Sequence, residues 1–221
     1  MCGRLKSPQE LNDIQAQLGL KDLLLDYAPR FNLPPTAAVP VVSSSDGVKT
    51  LRQMKWGLIP SWAKDDRMKY STFNARADGV ATKPAFRSAW KAGRRCLVLA
   101  DGFYEWRKED KQPFFITLGN KQPMTIAGLW EKWKPEKGES VFSCTIITTE
   151  ANSLMEPIHD RMPVIIGPEN WTAWLGEEPC EPEKLLVPFP AERMSLWPVD
   201  KRVGNVKNND ASLTDPIKVS Y

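Results

Sequence analysis

Cysteine is the second residue of the chain, directly after Met1. Removal of Met1 would leave Cys2 with an α-amine and a thiol on adjacent carbons. Ordinary pKa values of about 7.7–8.0 and about 8.5 give each group a useful nucleophilic fraction near neutral pH. Such a pair reacts with an aldehyde: the amine forms a Schiff base, and the sulfur then closes a five-membered thiazolidine. The alternative interpretation is that position 2 only tolerates a small residue.

Glu105 is a candidate for proton transfer. It lies between Tyr104 and Trp106 in a strand-like segment, where alternation places Glu105 on the same face as Phe103. Because Phe103 indicates an apolar face, we expect Glu105 to be partly buried, which would raise its pKa and suit it to general acid–base work. The alternatives are a solvated carboxylate at a sheet edge and a structural ion pair.

His159 is the single histidine of the chain, so it is the default candidate for a side chain that titrates near neutral pH. It follows a segment that we predict to be helical, and the alternative is a surface or helix-capping histidine. The four cysteines are far apart and form no CxxC pair. This pattern argues against a metal site or a disulfide framework and favours a reducing cytosol. We expect no cofactor.

Asn74 and Arg76 lie two residues apart, so an extended segment would point both to one face. An amide and a guanidinium there could contact a sugar or a phosphate. The alternatives are a turn asparagine and a surface arginine. Most of the nine tryptophans must be core residues, although Trp62 beside Pro60 could offer a face on which a nucleobase stacks.

Composition limits the class of protein. The chain has 221 residues, of which 42% are apolar, enough for a substantial core. It shows neither an apolar run that would span a membrane nor a signal-peptide pattern, so we expect a cytoplasmic protein. The net charge of +3 falls short of a strongly basic nucleic-acid domain, so any phosphate contacts must come from local clusters of arginine and lysine.

The elements that would position these residues are mostly strands. Segments 38–43 and 49–59 flank the hairpin turn Asp46-Gly47, and further strands are predicted at 95–100, 103–106, 114–118, 124–133, 141–149, 162–166 and 194–199. Helices are predicted from Ser7 to Gly19 and at 83–91, 151–158 and 168–175, with a helical or irregular segment at 21–27. We therefore predict an α+β fold: a single domain with a mostly antiparallel, barrel-like sheet flanked by short helices.

Seven ordered motifs together resemble the SRAP family, the SOS response-associated peptidase-like or abasic-site processing proteins. The resemblance runs from residue 2 to about residue 210, and it predicts a single SRAP domain at residues 2–215. The motifs are Cys2-Gly3-Arg4, Arg30-Phe31-Asn32, Trp56-Gly57 with Pro60-Ser61-Trp62, Asn74-Ala75-Arg76, Asp101-Gly102-Phe103-Tyr104-Glu105-Trp106, His159-Asp160-Arg161-Met162-Pro163 and Val203-Gly204-Asn205.

The resemblance implies that the protein binds single-stranded DNA and captures abasic sites through a covalent crosslink to Cys2 after Met1 removal. The crosslink shields the lesion during replication. The resemblance also implies lyase-type activity and a thiol (auto)peptidase activity, although an ordinary methionine aminopeptidase would suffice here. The implied partner is single-stranded DNA that contains abasic sites. We expect a monomer and no membrane association.

The resemblance also implies roles for individual residues. Cys2 matches the covalent nucleophile, Asn74 the residue that positions the nucleophile and the sugar, Glu105 the proton-transfer carboxylate, and His159 the residue that assists closure or reversal of the link. Residues that resemble DNA contacts are Arg4, Asn32, Trp62, Arg76 and Arg161. Some relatives carry a second aromatic where this chain has Ala63.

Two other functions compete with this interpretation. The first is an N-terminal-nucleophile thiol hydrolase that uses Cys2 with His159 as base and Glu105 as its partner. It needs an acyl substrate and an oxyanion hole. The second is a non-catalytic single-strand binding module in which Cys2 is structural. Covalent capture is favoured because it alone uses both reactive groups of Cys2.

Overall fold

The structure is a computed structural model that describes residues 2–20, 27–66, 71–120 and 122–218. The described residues form eleven strands and three short α-helices. The strands are β1 (Leu5–Lys6), β2 (Ala38–Ser45), β3 (Val48–Trp56), β4 (Asn74–Arg76), β5 (Arg95–Ala100), β6 (Gly102–Trp106), β7 (Pro113–Leu118), β8 (Met124–Trp133), β9 (Val141–Glu150), β10 (Arg161–Pro163) and β11 (Met194–Pro198).

The helices are α1 (Asn12–Leu18), α2 (Arg87–Lys91) and α3 (Trp171–Leu175). Short 3₁₀ helices cover Ala77–Gly79, Pro168–Asn170, Pro182–Leu185, Ala191–Arg193, Lys201–Gly204 and Ala211–Thr214. No helix in the described ranges is long and apolar enough to cross a membrane.

The larger sheet has seven strands. Five of them pair in a closed cycle, β9–β3–β2–β5–β8 and back to β9, while β10 and β4 add to β9. Pairs β3–β9 and β4–β9 are parallel, and the other strand pairs are antiparallel. A second sheet of order β1–β6–β7–β11 stays separate, so the eleven strands do not form one true barrel. The predicted α+β, mostly antiparallel, single-domain fold is confirmed, whereas its boundaries at 2–215 stay a prediction.

In the smaller sheet, the amino-terminal strand β1 pairs with β6, the strand that contains Glu105. In the antiparallel pair β1–β6, Leu5 lies opposite Phe103, and the Tyr104 amide donates to the Arg4 carbonyl at 2.9 Å, which extends the ladder toward Cys2. On its other side, Leu5 exchanges two backbone hydrogen bonds with Leu33. The chain leading to Cys2 is therefore held from both sides.

Strand β5 shows where the core lies. Its alternate residues Cys96, Val98 and Ala100 pack in the cluster that also holds Cys2 and Phe103. Leu97 and Leu99 face a second cluster, which packs against the three α-helices. Because both faces are buried, β5 reads as a continuous apolar run in the sequence.

Three helix predictions are wrong in whole or in part; in the segment predicted at 83–91 the helix covers only Arg87–Lys91. The first helix begins at Asn12 because the Ser7 hydroxyl accepts the Arg30 amide at 2.8 Å instead of capping a helix, although the predicted end at Gly19 (φ 66°) is confirmed. Residues 151–158 form successive turns, in which the Asn152 side chain accepts the Met155 amide and donates to the Phe189 carbonyl. The predicted segment 21–27 lies, apart from Tyr27, outside the described residues.

Candidate functional site

Cys2 is held at a fixed point between the two sheets. It is 1% exposed and belongs to the central apolar cluster. The Asn74 side-chain amide donates to the Cys2 carbonyl at 2.7 Å, and β4 places Asn74 opposite Ile146 of β9. Among the described residues the Asn74 Oδ1 atom has no hydrogen-bond partner although it is buried, which is rare for a polar atom inside a protein.

Glu105 is buried beside Cys2, as the alternation of β6 predicts. It is 5% exposed, and its Oε1 atom accepts the Trp106 amide at 3.2 Å. Burial, and then the negative charge of Glu105, raise the pKa of the Cys2 thiol well above its ordinary value. Glu105 and the Cys2 sulfur are therefore within electrostatic range of each other inside the protein.

His159 approaches the same carboxylate from the turn before β10. Burial lowers the pKa of its imidazole, and the charge of Glu105 opposes that shift. Glu105 thus acts on both Cys2 and His159. The structure brings together all four residues that we predicted to be catalytic: Cys2, Asn74, Glu105 and His159.

Arg76 and Arg161 line an open cleft of about 610 Å³ beside His159. Arg161 donates to the Thr148 carbonyl at 2.5 Å, whereas exposed Arg76 makes a two-pronged ion pair with Asp78 at 2.8 and 3.0 Å. Four carboxylates share the walls with these two guanidinium groups: Asp78, Glu150, Asp160 and Glu183. The carboxylates therefore partly neutralise the positive charge that the two guanidinium groups present to the cleft.

Trp62 is 60% exposed, on a loop that Trp133 anchors by donating from its indole nitrogen to the Ala63 carbonyl at 2.7 Å. An anchored loop with an exposed indole offers a flat apolar face to solvent. This placement suits the predicted stacking role, which stays a prediction.

Asn32 and Arg4 make hydrogen bonds within the protein, and their predicted contacts with DNA stay predictions. Asn32 is 0% exposed, and its amide nitrogen donates to the carbonyls of Val203, Asn205 and Asn208 at 2.9–3.1 Å. Arg4 donates to Asn32 Oδ1 at 2.7 Å and to the Val203 carbonyl at 2.6 Å. These two side chains attach the 203–208 loop to the amino-terminal segment.

Sequence reasoning missed two features of the site. The first is the contact between two motifs: the backbone carbonyls of Val203 and Asn205 accept hydrogen bonds from Asn32. The order of the motifs along the chain does not reveal this contact. The second is the ion pairing around His159, where Asp160 meets both His159 and Lys108. Because Asp160 directly follows His159 in the sequence, the contact between these two side chains could have been predicted. In the ranges that the structure describes, no group of three or more histidine, cysteine, aspartate or glutamate side chains is arranged to hold a metal ion.

Comparison with known proteins places the chain among described relatives. The abasic site processing protein YoqW of Bacillus subtilis (strain 168) is 39% identical over 223 residues, which cover 97% of this chain and 99% of the relative. The abasic site processing protein YedK of Escherichia coli (strain K12) is 34% identical over 228 residues, which cover 98% and 100%. The abasic site processing protein HMCES of Xenopus tropicalis is 36% identical over 83% of this chain and 64% of the relative.

A crystal structure of a protein from Bacteroides thetaiotaomicron matches the fold with a TM-score of 0.85 at 26% identity, covering 98% of this chain and all of that one. A family model described as SOS response associated peptidase (SRAP) matches residues 1–206. Since that match and the relatives above span most of the chain, this protein belongs to the SRAP family.

Proposed function

We propose that this protein processes abasic sites in single-stranded DNA, and that it does so by forming a thiazolidine between the lesion and the processed amino terminus of Cys2. One observation carries the proposal: the Asn74 side-chain amide donates to the Cys2 carbonyl at 2.7 Å, while buried Glu105 acts electrostatically on both the Cys2 thiol and His159. The printed names of the relatives, abasic site processing proteins, support the substrate.

The reaction balances with the groups present. The ring-opened sugar presents an aldehyde, and the Cys2 amine adds to it to give a carbinolamine. A proton from Glu105 lets the hydroxyl leave as water, which forms an iminium ion. The Cys2 sulfur then attacks the same carbon while its proton passes to His159, and the C–S bond completes the ring. The sum is one aldehyde and one aminothiol converted to one thiazolidine and one water, with one proton moved from Glu105 to His159; return of that proton to Glu105 restores both groups.

Closure by sulfur also protects the strand. An iminium ion makes the neighbouring sugar proton acidic, and loss of that proton leads to β-elimination and strand breakage. Formation of the C–S bond removes the iminium ion and stops this path. Lyase-type cleavage is therefore the expected side reaction whenever closure is slow.

The electrostatics favour amine-first capture over a thiol peptidase. A thiol peptidase needs a thiolate, and such sites lower the pKa of their cysteine. Here burial and the charge of Glu105 raise the pKa of the Cys2 thiol. A neutral thiol suits the scheme above, because the sulfur attacks only after an iminium ion has formed beside it.

The intact mass of the processed protein after incubation with a single-stranded oligonucleotide that carries one abasic site tests the proposal. We expect loss of Met1 and a covalent adduct heavier by the oligonucleotide minus one water. The matched control is protein whose amino terminus has been acetylated, which retains the thiol. An adduct of equal yield from the acetylated protein would refute capture through the amine.

We also expect Asp78→Asn to tighten binding to intact single-stranded DNA a few-fold. The substitution releases Arg76 from its two-pronged ion pair and removes one negative charge from the cleft. One more phosphate contact should steepen the slope of log K against log salt by about 0.7. Fluorescence anisotropy at several salt concentrations measures both effects.

The matched control for this measurement is Asp110→Asn, which breaks a similar two-pronged pair with Arg107 away from the cleft. It should leave affinity unchanged. A salt-independent affinity in the unsubstituted protein would contradict a phosphate-binding cleft.

A further inference from the structure

The Nδ1 atom of His159 has two close neighbours that require opposite protonation states. The Arg161 backbone amide lies 3.1 Å away and can donate only if Nδ1 carries no proton. The Asp160 carboxylate Oδ1 lies 2.8 Å away and can accept only if Nδ1 carries one. Each state of the imidazole therefore has its own partner ready.

A third residue controls the carboxylate. Lys108, at the turn after β6, places its ammonium 3.0 Å from Asp160 Oδ2, the oxygen that does not face His159. The Lys108 backbone amide also donates to the Ile158 carbonyl at 3.3 Å, so the turn stays beside the His159 segment independently of the ion pair. The three side chains form a row, Lys108–Asp160–His159.

We propose that Asp160 is a positioning residue that stabilises the protonated form of His159, and that Lys108 limits how strongly it does so. When His159 takes a proton, its Nδ1–H turns from the Arg161 amide to the Asp160 carboxylate. The amide of Arg161 then loses its acceptor. Protonation of His159 is in this way linked to the backbone of a residue that lines the cleft.

Every charged group that acts on His159 is consistent with this assignment. Burial lowers the pKa of the imidazole, and the amino terminus of the chain and Lys108 lower it as well. Glu105, from β6, and Asp160 raise it. Because Glu105 is needed for proton transfer in the proposed reaction, Asp160 is the group free to tune His159 without entering the chemistry.

The consequence for the reaction rests on the proposed function. His159 receives the thiol proton when the ring closes, so the product state contains an imidazolium ion. A nearby carboxylate stabilises that ion and favours closure, whereas Lys108 opposes it. Asp160 therefore biases the balance between the closed thiazolidine and the iminium ion that leads to strand cleavage.

The experiment is an NMR titration of ¹³C-histidine-labelled protein without DNA. Since His159 is the single histidine, one imidazole signal reports its titration unambiguously. Asp160→Asn keeps the shape of the side chain and should move the midpoint to lower pH. Lys108→Met keeps the aliphatic stem and should move it to higher pH.

Asp66→Asn is the matched control, because Asp66 is also an exposed aspartate (53% against 66% for Asp160) and is also paired with a lysine, Lys55, but lines a different pocket. It should leave the midpoint in place. An amide fingerprint spectrum of each variant checks that the fold is intact.

A midpoint that stays or rises in folded Asp160→Asn protein overturns the proposal, as does one that falls in Lys108→Met. The titration involves no DNA, so this outcome leaves covalent capture untouched. Conversely, shifts of the expected sign in a protein that forms no adduct would overturn the proposed function alone.

Discussion

Cys2→Ala should abolish the heat-stable crosslink to abasic single-stranded DNA while preserving strand cleavage at the lesion. The variant keeps an α-amine after Met1 removal, so a Schiff base still forms, but the sulfur that would close the ring is gone. The iminium ion then proceeds to β-elimination. Denaturing gels with labelled DNA report both products, and borohydride should trap the intermediate as a covalent complex.

Two further variants isolate the sulfur at position 2. Cys180→Ala removes the exposed thiol and should crosslink like the parent protein. Cys2→Ser keeps the size of the side chain but offers a weaker nucleophile, so it should resemble Cys2→Ala. A heat-stable adduct from Cys2→Ala, in the yield of the parent, would show that the thiazolidine is not the product.

Glu105→Gln should slow crosslink formation by roughly 10²–10⁴-fold, the range that a general acid–base group contributes. The substitution keeps the shape of the side chain but removes the proton that lets water leave the carbinolamine. Single-turnover kinetics on gels, with protein in excess over abasic DNA, measure the rate constant directly.

The same variant should make the thiol more reactive toward a simple alkylating agent. Glu105 raises the pKa of the Cys2 thiol, so its neutralisation lowers that pKa and enlarges the thiolate fraction at any pH below it. The pH profile of iodoacetamide labelling should shift to lower pH. Local unfolding around the buried Cys2 would also speed alkylation and slow crosslinking, so the amide fingerprint spectrum and the thermal midpoint of the variant must match those of the parent protein.

The matched control is Glu131→Gln. Glu131 is the other buried glutamate of the described chain, 1% exposed and ion-paired with Arg94 on the larger sheet. Its substitution should lower the free energy of unfolding and leave the crosslinking rate constant of the folded protein unchanged. An equal loss of rate in both variants would assign the Glu105 effect to stability.

The sequence was informative wherever one local rule decided the structure. The burial of Glu105 follows from strand alternation and from Phe103 on the same face, and the structure confirms it. The bounds of β5 and β8 follow from apolar runs that tertiary packing reinforces on both faces. The left-handed Gly19 ends α1 as its position predicts.

The sequence was least informative where side chains choose between local and distant partners. Ser7 fits a helix-start pattern but bonds across 23 positions to Arg30, and Asn152, in the segment predicted to be helical, bonds both to Met155 nearby and to Phe189, 37 positions away. A local sequence pattern contains no information about partners so far away along the chain. The same holds for Asn32, whose three carbonyl partners lie more than 170 positions away, while its predicted DNA contact stays a prediction.

The two-residue strand β1 also decides how a captured strand would be held against force. A pull on the DNA would reach the protein through Cys2 and pass within three residues to Leu5, which is bonded on one side to β6 and on the other to Leu33. The covalent bond would outlast these few hydrogen bonds, so the linkage would first fail by peeling the terminus from its sheet. Such peeling would separate Cys2 from Asn74, Glu105 and His159. An enzyme that pulls on the DNA as it moves along the strand would thereby stop the proton transfers that could reverse the link.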